Sequence, residues 1–133
     1  EKGQTDEGAL YFESPEGDKA IYISTWNLGS EARTTPRDAA NSFSDIERAS
    51  LRGMDGYSWQ TVADQTEDSD GIAVAFIDNF AKENCYRIAS KILARLPLVV
   101  RSSFHDYSCE DYEQSRRFFL PVIDSLCLHD PAV

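Results

Sequence analysis

Apolar and polar residues alternate most regularly between Gly71 and Tyr107, and this alternation predicts three consecutive β-strands. In a strand, every second side chain lies on the same face of the sheet. The apolar side chains that recur in this way are Ile72, Val74, Phe76, Phe80, Tyr86, Ile88, Ile92, Leu98, Val100 and Phe104. Short polar segments separate the three runs, so we expect an antiparallel meander here.

Two further regions have strand character. The runs Gly8 to Ser14 and Lys19 to Trp26 flank the segment Pro15 to Asp18, whose Pro and Gly are typical of a turn. This arrangement predicts a β-hairpin. Tyr57 to Thr66 is a weaker strand candidate, and the acidic turn Glu67 to Gly71 connects it to the meander.

Two helices are predicted. The first begins at Thr35, which can cap it before a proline at the first helical position, and ends at Gly53. The second follows the meander, where Ser108 and Asp111 resemble a capping box with Ser108 as the cap. Pro121 lies inside the second helical pattern, so we expect it to kink or divide that helix.

The order of these elements predicts an α+β fold. Strands and helices are segregated along the chain rather than alternating, which favours an antiparallel sheet of about six strands flanked by two helices. A chain of 133 residues fits one domain, which we place at residues 8–130. Residues 1–7 are polar and are predicted to form a flexible N-terminal tail.

Net charge changes the functional expectations more than composition does. The formal charge is −10, and it arises entirely in residues 1–84, which hold 7 basic and 17 acidic side chains. Such acidity disfavours nucleic-acid binding and favours a partner with a basic surface. Glu67, Asp68 and Asp70 are the acidic side chains that we expect to face this partner; plain solubility is the alternative explanation of the charge.

A basic stripe is predicted on the meander. Arg87, Lys91, Arg95 and Arg101 should all lie on the face opposite Ile88 and Val100. They would either pair with charges on neighbouring strands or dock a protein partner. The aromatic anchors of such a docking face would be Tyr57 and Trp59, because aromatic residues and Arg dominate binding hot spots. Trp26 and Trp59 could equally belong to the core.

Catalytic chemistry has weaker support. The cysteines Cys85, Cys109 and Cys127 have no metal-site spacing and are expected to be free thiols, with a Cys109–Cys127 bridge left open. Cys109 at a helix start, four residues after His105, is the best candidate for a thiol-dependent enzyme. The adjacent Glu110 and Asp111 oppose thiolate formation.

Metal sites are also disfavoured. His105 and Asp106 with the acidic residues that follow could hold a metal or act as an acid–base pair, but charges commonly flank a helix start. Glu67 to Gly71 resembles a calcium-binding loop but lacks the distant bidentate Glu of such a loop. A solvated turn is therefore predicted here. We therefore predict no catalytic residues, no metal and no cofactor.

The element order and three segments together resemble the PsbP-like superfamily over about residues 8–128. The segments are TWNLGSEARTTPRDAANSF, AFIDNFAKENCYRIASKILARLPLVVRSSFHDY and DYEQSRRFFLPVIDSL. Members of this superfamily include an extrinsic subunit of photosystem II, a nuclear protein that binds the Ran GTPase, and bacterial chaperones of type VI secretion effectors. The resemblance implies a sandwich of sheet and helices and non-enzymatic binding to another protein. It implies no catalytic residues.

Together these observations favour a small acidic binding module of bacterial type, an immunity protein or chaperone for a secreted toxin or effector. An assembly subunit or GTPase-binding adaptor and a thiol-dependent enzyme using Cys109 are the alternatives. A cytoplasmic location is expected, or a periplasmic one if a signal segment preceded Glu1. No apolar run reaches the ~20 residues of a membrane span.

Overall fold

The computed structural model describes residues 2–4, 10–31 and 33–126. Seven strands and two α-helices occur in these residues. The strands are β1 Lys2–Gln4, β2 Leu10–Glu13, β3 Lys19–Asn27, β4 Gln60–Ser69, β5 Ile72–Ala81, β6 Tyr86–Arg95 and β7 Leu98–Asp106. The helices are α1 Pro36–Arg52 and α2 Tyr112–Ser125, and a 3₁₀ turn at Lys82–Asn84 joins β5 to β6. Within the described residues no helix is both long and apolar enough to cross a membrane.

All seven strands form one antiparallel sheet in the order β1-β2-β3-β7-β6-β5-β4. The two helices cover opposite faces of it. On β6, Ser90 donates a hydrogen bond to Glu47 of α1, whereas the preceding residue, Ala89, packs with Phe119 of α2. Because neighbouring residues of a strand point to opposite faces, the sheet is the middle layer of three. The α+β class with an antiparallel sheet and two helices is thus confirmed, with one strand more than expected.

The predicted hairpins form, with shifted ends. The sequence between β2 and β3 turns as expected, and Ser14 caps this turn through hydrogen bonds with Asp18 and Lys19. β4 extends to Ser69 and leaves only Asp70 and Gly71 as the turn into β5, both with positive φ (54° and 78°). A two-residue turn of this kind matches strand twist and suits Asp-Gly. The extra strand β1 pairs with β2 where a flexible tail was predicted.

The helix starts are decided by local capping. Thr35 caps α1 as predicted, accepting a hydrogen bond from the backbone of Asp38 at 3.1 Å. The cap of α2 is Asp111, whose side chain accepts from two backbone N–H groups of the first turn, so the assignment of Ser108 as the cap is wrong. A carboxylate caps a helix as well as a hydroxyl does and also suits the positive end of the dipole. α2 continues through Pro121 to Ser125 without being divided.

Small residues on the sheet let α1 approach it closely. The core beneath α1 consists mainly of alanines, Ile92 and Val99, and the core beneath α2 contains Phe104 and Phe119, whose rings lie 5.8 Å apart. Glu47 of α1 is 7% exposed and accepts a hydrogen bond from Ser90. Burial raises the pKa of this carboxyl group, so the layer under α1 includes one poorly solvated acid.

Candidate functional site

Arg87, the first residue of the predicted basic stripe, is buried under α2. Its side chain donates to both carboxylate oxygens of Asp78, at 3.0 and 2.7 Å, and to Ser115 of α2 at 3.1 Å. Tyr112 of α2 donates its hydroxyl to Asp78 at 2.7 Å. Arg87 is 1% exposed, so the prediction that it lies on an open face is wrong. It holds α2 on the sheet.

Lys91 lies on the same face as Arg87 and contacts the end of the same helix. Its ammonium group donates to the backbone carbonyl oxygens of Ile123 and Leu126, at 2.7 and 2.8 Å. The last carbonyl groups of a helix lack partners within the helix, and a cation there also suits the negative end of the dipole. Lys91 therefore caps α2, and its half-buried position leaves little of it for a partner.

Arg101 lies on the other face of the sheet, so the four basic residues do not form one stripe. It pairs in register with Ile92, and its guanidinium lies 5.6 Å from the centre of the Trp26 ring, as in a cation–π contact. Val100 shares the face of Arg87 instead. Arg95 is half-buried at the end of β6. A docking role for these residues stays a prediction. The prediction that all four lie on one face is wrong.

Tyr57 and Trp59 belong to a larger group of aromatic side chains on the α1 face. Their rings stack 5.6 Å apart at an interplanar angle of 9°, and both contact the ring of Tyr86. Ring contacts continue from Tyr86 across the sheet. This aromatic cluster consists of Tyr11, Tyr22, Tyr57, Trp59, Tyr86, His105 and Tyr107. Sequence reasoning missed it because its members come from β2, β3, β6, β7 and two connecting segments.

His105 and Tyr86, at the centre of the aromatic cluster, are uncharged at neutral pH. Burial, and then the nearby positive charge of Arg101, lowers the pKa of His105 to about 4. Burial raises the pKa of Tyr86 to about 12, and its hydroxyl is hydrogen-bonded to Nδ1 of His105 at 2.7 Å. A neutral imidazole and a protonated phenol held against each other suit apolar and hydrogen-bonding contact better than proton transfer.

The acidic residues Glu67, Asp68 and Asp70 are exposed at the end of β4 and in the turn that follows. β4 is the edge strand of the sheet, and Asp64 lies further back along it. We call Asp64, Glu67, Asp68 and Asp70 the acidic edge. Arg48 pairs with Asp64 at 2.7 Å and Arg37 lies 3.6 Å from Asp68. Glu67 and Asp70 have no ion pair among the described residues.

A shallow groove follows the acidic edge. Its cavity volume is about 630 Å³, and Arg37, Glu67 and Asp68 line it together with Ile72 and Val74. The two aliphatic side chains are half-buried, which leaves apolar surface directly beside the carboxylates. Apolar surface rimmed by charge is typical of the places where proteins meet.

The candidate thiol nucleophile is not assembled. Cys109 is 2% exposed and lies with Ser115 and Asp111, whereas His105 contacts the tyrosines on the other face. Burial raises the pKa of the Cys109 thiol, which opposes thiolate formation. Cys85 is also a free thiol, and Cys127 lies outside the described residues. Among the residues that the structure describes, no group of His, Cys, Asp and Glu could hold a metal ion.

Comparisons with known proteins find a likeness in structure only. No protein-family model and no curated protein matches the chain. PA94 of Pseudomonas aeruginosa, a protein of unknown function suggested to be a regulator, matches with a TM-score of 0.63 at 10% identity, over 96% of this chain and 88% of that one. Cyanobacterial PsbP from Synechocystis sp. PCC 6803 matches with a TM-score of 0.60 at 8% identity, over 94% and 76%. The chain has a PsbP-like fold.

This result confirms the resemblance at the level of the fold. Identities of 10% and 8% carry no functional residues from either protein to this chain. The PsbP-like fold places β4 at an open edge and leaves the aromatic cluster on a face that α1 covers only in part.

Proposed function

We propose that this chain is a non-enzymatic protein-binding module of bacterial type, an immunity protein or chaperone for a secreted toxin or effector. Its partner would present a basic surface to the acidic edge. One copy of this chain would then cover the basic surface of one partner molecule. Long-range attraction between opposite charges would speed the encounter, and close charge pairs would fix the orientation.

The observation that carries the proposal is the acidic edge on a strand at the edge of the sheet, which α1 contacts through Arg37, Asn41 and Arg48. β4 spans ten residues, and most of its side chains are exposed. The outer backbone N–H and C=O groups of an edge strand are open to another chain. Glu67 and Asp70 add negative charge without a compensating Arg, beside the aliphatic groups of Ile72 and Val74.

The length of β4 suits a protein partner. Ten residues of extended chain span about 33 Å, and an interface of ordinary size buries about 800 Å² on each partner. Tyr57 and Trp59 precede the start of β4, and the acidic edge occupies its other half. A partner lying along β4 would meet aromatic anchors at one end and carboxylates at the other. This agrees with the sequence-based prediction of a partner surface at Tyr57, Trp59, Glu67, Asp68 and Asp70.

Affinity capture from extract of the native cell, at about 0.05 M and about 0.5 M salt, tests the proposal. The test variant carries Glu67→Gln, Asp68→Asn and Asp70→Asn; Asn tolerates the positive φ of position 70. The control carries Glu16→Gln, Glu110→Gln and Asp124→Asn, which remove the same charge from exposed positions elsewhere.

We expect one basic protein to be retained at low salt by the wild type and the control, and to be lost by the test variant and at high salt. The retained protein, once purified, should bind the wild type with 1:1 stoichiometry. Equal capture by the test and control variants would mean that total charge, rather than the acidic edge, binds the partner. That outcome would overturn the proposal.

A further inference from the structure

A second groove lies at the C-terminal end of α1. It opens where α1 ends at Arg52 and the following segment leads into β4, and its cavity volume is about 580 Å³. Leu51 lies at its base, and the stacked rings of Tyr57 and Trp59 form one wall. We call it the α1–β4 groove. Its size is that of a small-molecule site.

Two buried hydrogen-bond donors in the lining side chains have no acceptor. Nδ2 of Asn79 and Nε1 of Trp59 are both shielded from water and both unpartnered. Asn79 is 2% exposed, and its carbonyl oxygen already accepts from Thr61 at 2.8 Å. An unsatisfied buried donor costs about 1–3 kcal/mol. An amide NH₂ and an indole N–H can only donate, so only an acceptor can complete this pair.

The charged side chains that line the groove are both cationic. Its lining holds Arg48 and Arg52 and no carboxylate, in a chain of net charge −10. Arg48 is engaged by Asp45 and Asp64. Arg52 is exposed and makes no ion pair with the described residues. One available cation therefore stands beside two neutral donors and a flat aromatic wall.

We propose that the α1–β4 groove binds a small aromatic carboxylate. The carboxylate oxygens accept from Nε1 of Trp59 and Nδ2 of Asn79 and lie near the guanidinium of Arg52, while the ring packs on Tyr57 and Leu51. One negative charge and two acceptor oxygens match one free cation and two donors, whereas a phosphate dianion would need more cationic groups. Because both nitrogens are covered, the segment that carries Tyr57 and Trp59 moves slightly to admit the ligand.

This site shares Tyr57 and Trp59 with the protein-binding surface proposed above. It is tested on the purified chain alone, so its failure can be told apart from a failure of the proposed function. Cinnamate and benzoate are titrated into ¹⁵N-labelled protein, with cinnamamide as the neutral isostere of the first probe and inorganic phosphate as a general anion. The indole N–H signals of Trp59 and Trp26, the chain's two tryptophans, are followed together with the side-chain amide of Asn79. Trp26 packs on Phe43 elsewhere and serves as the internal control.

We expect saturable shifts of the Trp59 and Asn79 signals with the carboxylates, and a steady Trp26 signal. Arg52→Gln should weaken cinnamate binding by about threefold to fivefold, as for a partly exposed ion pair. Trp59→Phe, which keeps an aromatic ring but removes the N–H donor, should also weaken cinnamate binding. Arg117→Gln, which removes an exposed cation from α2, should leave it unchanged. Equal shifts with cinnamamide, a response to phosphate alone, or no shift at about 10 mM probe, which corresponds to negligible affinity, would overturn the proposal.

Discussion

Arg87 of β6 and Asp78 of β5 form a buried ion pair with two hydrogen bonds, on the face of the sheet that α2 covers. Their side chains are 1% and 2% exposed, and two N–H groups of the guanidinium meet the two carboxylate oxygens at 3.0 and 2.7 Å. Ser115 and Tyr112 extend the network into α2. Planar two-bond geometry with additional hydrogen bonds is what allows such charges to be buried.

Breaking this pair from one side should be costly. We expect Arg87→Met to lower the free energy of unfolding by about 3–5 kcal/mol, because the Asp78 carboxylate would stay buried without a counter-ion. Urea unfolding followed by circular dichroism measures the change. The double variant Arg87→Met/Asp78→Leu should lie much closer to the wild type, since neither charge remains. Arg117→Met is the control for loss of an exposed arginine and should change the free energy of unfolding only slightly. An equally small change for Arg87→Met would contradict the buried pair.

The low pKa of His105 should affect both the pH titration of its NMR signal and the pH dependence of the free energy of unfolding. It lies at about 4, below the ordinary 6.5, so between these values the unfolded chain binds more protons than the folded one. The free energy of unfolding should therefore rise with pH from about 4 to about 6.5, by about 3 kcal/mol from this residue, and then level off. His105→Phe should remove that rise. The His105 imidazole C–H signal is distinguished from that of His129 by its loss in His105→Phe. If the His105 signal titrated with a midpoint near 6.5, the assignment would be refuted.

Cys109 should react slowly despite its place just before a helix. Burial restricts access and raises the thiol pKa, so little thiolate forms at pH 7. We expect iodoacetamide to modify Cys109 more slowly than the half-buried Cys85, and more slowly than a free model thiol, as followed by peptide mass spectrometry. In urea the two rates should become equal, which controls for peptide detection. Rapid labelling of native Cys109 would revive the hypothesis of a thiol-dependent enzyme.

Local patterns in the sequence were sufficient for the architecture. Period-two alternation located β5, β6 and β7, and the Thr35-Pro36 start located α1, because these signals depend on neighbours along the chain. The cap of α2 was misassigned because Ser108 and Asp111 are both good capping residues. The actual N-cap depends on where the chain leaves β7, which is a matter of tertiary packing.

The candidate site was less accessible to sequence reasoning. Tyr57 and Trp59 were predicted as aromatic anchors of a docking face, with Trp59 left open as a core residue. Their neighbours Tyr86 and His105 are brought to them only by strand pairing. No sequence pattern identified Asn79, because an amide without a hydrogen-bond partner can be recognised only once its surroundings are known. The exposed acids Glu67 and Asp70 were predictable, since a polar Asp-Gly turn rarely has a partner to cover it.

The sequence by itself determined both helices and every strand except β1, the alternation within the strands of the meander, and the acidic charge of the first part of the chain. Only the tertiary structure decided which faces are covered. Charged positions opposite an apolar stripe were expected to face water, but α2 lies on that side and buries Arg87, while Arg101 points to the α1 side. Alternation fixes relative positions within one strand. The register between strands and the placement of helices depend on contacts between residues far apart in the chain, which no local pattern encodes.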